Sequence, residues 1–283
     1  MSSTRIVTDG AEIAYDVHGT LPPGDGRPPL MMIGQPVTAG GFAALASHFS
    51  DRTVVTYDPR GLGRSTRSDG RRDHSPTVQA RDVHHVIEAL GGGPVEMFAS
   101  SGGAVTALAL VAGHPGDVTT LVAHEPPLVS VLPDSAAAER ALAAVREIYE
   151  AEGRGAGMAA FIAMTSWRGE FTDEYFARPV PDPGAFGLPS ADDGSRDDPV
   201  LSDRSTPISL YRPDLDAVLA APTRVVIAVG KASLEIFTGR AALATAELLR
   251  QKATIFPGDH RGFIEDGGQA VALATKLRQV LAG

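Results

Sequence analysis

Ser101 stands in the run Phe98-Ala99-Ser100-Ser101-Gly102-Gly103-Ala104, between a short apolar run that reads as a strand and an apolar stretch, Gly102–His114, that reads as a helix. Small residues on both sides of a serine at such a junction are what a sharp turn requires. The turn forces the serine into a strained backbone conformation, and bulk two residues to either side would strike the neighbouring strand and helix. The run is one residue away from the nucleophile-elbow pattern G-x-S-x-G, with Ala99 where the first glycine would be. A helix N-terminus behind the serine favours developing negative charge. The chemistry this would support is attack of an activated hydroxyl on an acyl carbon. Ser100 is the competing hydroxyl, but it fills the pattern's variable position. Serines also cap helices in the ordinary way, so the run taken alone fits a capped loop as well.

Other chemistries are set aside by composition. The 283 residues include no cysteine, which excludes a thiol nucleophile, Cys-ligated zinc, iron–sulfur clusters and disulfides. A net charge of −9 disfavours a nucleic-acid or anionic-membrane surface. No metal-ligand spacing or Gly-rich phosphate loop stands out, so neither metal nor cofactor is expected. The opening residues Met1-Ser2-Ser3-Thr4-Arg5 lack the apolar stretch of a secretory signal, and the expectation is a cytoplasmic chain.

The elements that must position Ser101 can be read from the apolar pattern. Alternation on both sides of Asp9-Gly10 predicts an N-terminal hairpin. Short continuous apolar runs follow at 30–33, 53–57, 95–98, 120–123, 224–229 and 253–256, separated by helix-length segments. Continuous rather than alternating strands imply a parallel sheet covered on both faces. The alternation of strand and helix stops near Pro126 and resumes near Thr223. Between them lie helical stretches at 135–152 and 156–167 and a Pro/Gly/Asp-rich run at 179–199, which reads as an inserted helical cap.

Four segments, in order, make the chain resemble the α/β-hydrolase superfamily. They are Ile33-Gly34-Gln35-Pro36, Tyr57-Asp58-Pro59-Arg60-Gly61-Leu62-Gly63-Arg64-Ser65, the Ser101 elbow, and Pro257-Gly258-Asp259-His260-Arg261-Gly262-Phe263. The resemblance implies a mostly parallel eight-stranded sheet with helices on both faces. The core would comprise 1–127 and 217–283, and the helical cap 128–216. In that family the first segment usually reads His-Gly-x, and the main-chain N–H of x helps to build an oxyanion hole. Gln35 matches x, Ile33 replaces the histidine, and the second donor would be the N–H of Gly102. The family's general base follows the last strand, where His260 stands. Its acid usually follows the strand after the insertion, yet Val229-Gly230-Lys231-Ala232-Ser233-Leu234 holds no carboxylate before Glu235. A second family position lies directly after the strand that precedes the insertion. Glu125, in Val122-Ala123-His124-Glu125-Pro126-Pro127, stands there, with Glu235 and Asp259 as the other choices. The implied triad is therefore Ser101, Glu125 and His260. The remaining histidines, His84, His85, His114 and His124 among them, are read as structural, and Asp58 and Arg60 as pinning a turn.

A serine at the elbow points away from the halide and epoxide chemistry that uses an aspartate there. It implies hydrolysis of a carboxylic ester or lactone, cofactor-free perhydrolysis, or hydrolytic C–C cleavage. The triad order, the Ser-Ser-Gly elbow and the His-Glu-Pro-Pro segment are similar to zearalenone-type lactone hydrolases. A C–C hydrolase would need a cation for a substrate carboxylate, and Arg168 and Arg212 are the residues that could offer one. A ligand-binding member without catalysis would have no need of three triad residues. Trp167, Phe161, Met164 and Tyr211 are the cap residues placed against substrate, although packing alone would also use them. The expected partner is a small ester or lactone, with no nucleic acid and no membrane.

Overall fold

A computed structural model describes residues 2–264 and 269–283. β1 (Ser2–Thr8) and β2 (Ala11–His18) form an antiparallel hairpin with Thr8 opposite Ala11, and Gly10 takes the left-handed turn position at φ +69°. The sheet continues through β3 (Leu30–Gln35), β4 (Val54–Tyr57), the two-residue β5 (Thr66–Arg67), β6 (Val95–Ser101), β7 (Val118–His124), β8 (Arg224–Gly230) and β9 (Thr254–Phe256). The strand order is β1-β2-β4-β3-β6-β7-β8-β9, with β5 hydrogen-bonded to β2. Eight strands thus form the expected path, parallel from β4 to β9, and β5 is an addition that two residues were too few to announce.

Every residue of β3 is buried, because helices cover both faces. One face carries α2 (Pro76–Ala89) and α3 (Gly102–Gly113), whose apolar residues pack with Met31, Ile33, Met97 and Leu121. The other carries α1 (Ala43–Ser47) and α10 (Ala270–Leu281), packed on Leu30, Met32, Phe98 and Val122. Helix α3 is apolar around most of its circumference and ten of its residues are buried, which marks it as the central helix. Helix α10 instead shows an amphipathic stripe, burying Leu273, Ala274 and Leu277.

Between β7 and β8 lie α4 (Ser135–Glu152), α5 (Arg154–Thr165), α6 (Asp173–Phe176), α7 (Thr206–Ser209) and α8 (Leu215–Ala220). Helices α4 and α5 build a core of their own from Val129, Ala141, Val145, Tyr149, Met164 and Phe171, which also takes in Phe237 and Ala241 of α9 (Phe237–Leu248). Ile208 of α7 and Val218 of α8 join the main core under the sheet instead. Among the described residues, no helix is long and apolar enough to cross a membrane.

From β3 the chain order runs to β4 on one side and to β6 on the other, so the order reverses there. In open α/β sheets that reversal leaves a crevice beyond the carboxyl ends of the strands. Gln35 and Ser101 are register partners at that point.

Candidate active site

Ser101 closes β6 and serves as the N-cap of α3 at φ 57°, ψ −130°. A positive φ on a non-glycine residue costs of order 1–3 kcal/mol and persists only where the surroundings enforce it. The enforcement is visible. A Cβ on Gly103 would lie 2.6 Å from Gly34 Cα, and one on Gly102 would lie 2.8 Å from Gln35 Cβ. Ala99, at the place of the pattern's first glycine, is fully buried, so a methyl group is accommodated there. Gly102 opens α3, and its N–H belongs to the first turn, whose donors have no partner within the helix.

The loop after β3, which carries Gln35, is tied down by Asp58 at the end of β4. One carboxylate oxygen accepts from the N–H of Ala39 at 2.9 Å, and the other accepts from the N–H and Nε of Arg64 at 2.9 and 2.7 Å. Arg60 beside it grips the buried Asp82 through Nε and a terminal nitrogen at 2.8 and 2.5 Å. Both residues therefore pin turns. Gln35 is only 4% exposed, and neither its amide nitrogen nor its side-chain carbonyl oxygen has a hydrogen-bond partner among the described residues.

Glu125 follows β7 at φ 48° and is fully buried. Among the described residues, the non-glycine positions with positive φ are Ser101, Glu125 and Arg250, so two of these three strained positions lie at this site. One Glu125 oxygen accepts from the N–H of Gly230 at 2.8 Å, and the other from Thr238 Oγ1 at 2.6 Å. The second oxygen also lies 2.8 Å from His260 Nδ1. Burial pushes the carboxyl group up, but the bond to His260, the two neighbouring imidazoles and Thr238 outweigh it and hold the group down at about 2. A carboxylate can only accept, so Nδ1 of His260 carries the ring's proton and the lone pair resides on Nε2.

His124 lies beneath this pair, its ring 6.1 Å from that of His260 and inclined by 19°. It is fully buried among Phe98, Phe256 and Phe263, and Ser100 Oγ lies 3.0 Å from its Nδ1. Burial holds its pKa down at about 4, so it is neutral at ordinary pH. Ser100 is thus engaged by a buried ring, and Ser101 next to it is half-buried at the helix end.

The structure brings Glu125 and His260 together and keeps the other two carboxylates apart from that ring. Glu235 is exposed and paired with Arg168 at 2.6 Å, and Asp259 accepts from the N–H of Arg261. The four cap residues take packing positions. Met164 is fully buried in the cap core, with Phe161 against it. Trp167 donates from Nε1 to the carbonyl of Glu170 at 2.9 Å and lies edge-on to Tyr175, and Tyr211 rests on the main core. The contacts of Gly230, Thr238 and His124 with Glu125 were not anticipated. Gly230 and Thr238 lie 105 and 113 residues from Glu125, and no local pattern marks either as its partner.

A mostly parallel sheet with this strand order, and a strained serine between its central strand and central helix, is the architecture of an α/β hydrolase. The model of the alpha/beta hydrolase fold family matches residues 33–155. An uncharacterized hydrolase of Bacillus subtilis, YraK, is 30% identical over 261 residues, covering 90% of this chain and 88% of its own. The chain belongs to the α/β-hydrolase family and is a hydrolase of that fold. Two solved structures share the fold. An enol-lactonase from Burkholderia xenovorans superposes with a TM-score of 0.65 at 18% identity, covering 99% of this chain and 100% of its own. A thermophilic esterase from Thermogutta terrifontis gives 0.63 at 21% identity, covering 99% of each.

Proposed function

We propose that the chain is a serine hydrolase of carboxylic esters or lactones that works through an acyl-enzyme on Ser101. The observation that carries this reading is the 2.8 Å contact between His260 Nδ1 and a fully buried Glu125 carboxylate. With Nδ1–H held by Glu125, Nε2 takes the Ser101 proton as Oγ bonds to the acyl carbon and the carbonyl π pair moves onto oxygen. That oxyanion accepts from the N–H groups of Gln35 and Gly102, each donor worth about 3–4 kcal/mol in the transition state. The imidazolium then protonates the leaving alkoxide, and Glu125 stabilises its charge meanwhile. A water molecule, deprotonated by the same nitrogen, releases the acid. With a lactone the alkoxide stays on the same molecule, and the product is a hydroxy acid.

Perhydrolysis and C–C hydrolysis would run on the same triad. The C–C reading draws less support, because Arg168, one of the two cations it could use, is engaged by Glu235. Rates with aryl esters, γ- and δ-lactones, 1,3-diketones and peroxide as acceptor separate these readings. Ester or lactone turnover with one fluorophosphonate bound at Ser101 is the expected result. A folded chain that neither turns over esters or lactones nor takes the label would refute it.

A further inference from the structure

At the far end of α3, a second group of residues has the donor set of a metal site. His84 and His85 lie in the second half of α2, His114 caps the C-terminus of α3, and Asp117 precedes β7. One donor atom each from His84, His114 and Asp117 lies within 4.8 Å of the others, and all three residues are partly buried. Asp117 Oδ2 is 2.8 Å from His84 Nδ1, and the rings of His84 and His114 are 3.9 Å apart. The backbone there is already fixed, since the N–H of Asp117 donates to the carbonyl of His114 and its own carbonyl accepts from Val95.

We infer that His84, His114 and Asp117 form a binding site for a divalent first-row transition cation such as zinc or nickel. Two imidazoles and one carboxylate suit borderline cations, whereas magnesium and calcium require mostly oxygen donors. Three protein ligands leave a further position for water. Packing against its neighbours supports the role of His114. Its ring is partly buried and stacked on that of His84, which holds it beside the Asp117 carboxylate. The two rings lie nearly parallel, at 19°, so their lone pairs run side by side. Coordination of one ion by both rings therefore requires a turn of His114 about its Cβ–Cγ bond. The cation then takes the place of the proton between His84 Nδ1 and Asp117, and the neutral ring carries that proton on Nε2 instead.

Such an ion would clip α2 to the turn between α3 and β7. Ser101 lies at the other end of the 12-residue α3, roughly 18 Å away at 1.5 Å per residue, so the role is structural. The cation's effect should appear in stability rather than turnover. The test uses the full chain without an affinity tag, titrated with zinc or nickel by calorimetry and with cobalt by its visible absorption. One ion per chain, a raised thermal midpoint and unchanged ester turnover are expected. Asp117→Asn and His114→Gln, both of which keep side-chain length, should abolish binding, while His85→Ala keeps it. Absence of binding at micromolar metal would overturn the inference. So would binding that survives both Asp117→Asn and His114→Gln, or binding lost with His85→Ala but kept by Asp117→Asn, which would assign the ion to the neighbouring His84, His85 and Glu88 group. Circular dichroism of each metal-free variant separates lost ligation from lost folding.

Discussion

His260 and His84 each bring Nδ1 to 2.8 Å from a carboxylate oxygen, on Glu125 and Asp117 respectively, at opposite ends of the same helix. The contact is the same in both and the surroundings are not. Glu125 is fully buried, sits on left-handed backbone, and receives donors from β8 and α9 as well as from the ring. The Asp117 side chain keeps 15% of its exposure and sits on unstrained backbone, whereas the two rings are alike, at 29% for His260 and 24% for His84. A carboxylate taken from water is held charged only if several donors converge on it. Once held, it fixes the imidazole's tautomer and position. Asp117, partly open to solvent and without such donors among the described residues, can take water or an ion in place of its ring partner. A histidine–carboxylate distance alone therefore does not mark a reaction centre.

The largest break in that comparison is Ser101→Ala. The expected loss is on the order of 10⁶ in kcat, as for a triad nucleophile elsewhere, with the fold retained. Near-normal ester turnover by a folded variant would move suspicion to Ser100. Next comes Glu125→Gln, which presents an amide to Nδ1 and favours the wrong tautomer. Roughly 10⁴ in kcat should go with little change in KM, while Asp117→Asn leaves kcat unaltered. Equal effects of the two substitutions would mean that the two pairs do not differ in function.

Acid should separate the regions next. His124 and His74 are both buried, and burial holds each near 4, below the ordinary 6.5. Arg67 and Arg204 press His74 down further, and His260 does the same to His124, against the pull of Glu125. Their folded pKa values lie below the unfolded ones, so the unfolded chain binds more protons as pH falls from 6.5 to 4. Stability is lost through that window, by roughly 3 kcal/mol per histidine once both are passed. Glu125, held at about 2 against 4.5, adds a further loss only below about 4.5. Urea midpoints across this range should show the slope, and His124→Asn should remove one proton from it. An unchanged slope would mean that His124 is not held neutral.

A smaller step is Thr238→Val, which keeps the shape but removes one donor from the buried carboxylate. We expect about 1.5–3 kcal/mol of stability to be lost, and a fall in kcat well short of that from Glu125→Gln. Chemical denaturation and initial rates on the same preparation measure both. Smallest of all should be Glu235→Gln, which breaks an exposed pair with Arg168 worth at most about 1 kcal/mol. An inactive Glu235→Gln enzyme beside an active Glu125→Gln enzyme would return the acid to the position after β8.

Much of this molecule is local and therefore legible in the chain itself. Strands buried on both faces show as continuous apolar runs, the hairpin shows as alternation around Asp9-Gly10, and a strand-to-helix turn that must be narrow shows as Ala99, Gly102 and Gly103 around Ser101. The helix at 135–152 matches α4 residue for residue, because a long amphipathic segment carries its own period. Even Glu125 could be singled out through the family resemblance, which offers a second place for the acid where the segment after β8 holds no carboxylate before Glu235. Tertiary structure alone decided the rest. Whether Glu125 faces His260, 135 residues away, depends on two strand ends and a loop being brought to one edge. Its further support from Gly230 and Thr238 comes from partners with no shared local pattern. The same holds for His124, read as structural and found packed beneath the pair, and for His84, His114 and Asp117, which share no motif spacing. Sequence patterns record what each segment must do against its nearest layer. Contacts between side chains on different elements depend on how those layers dock, and that docking is a property of the whole core.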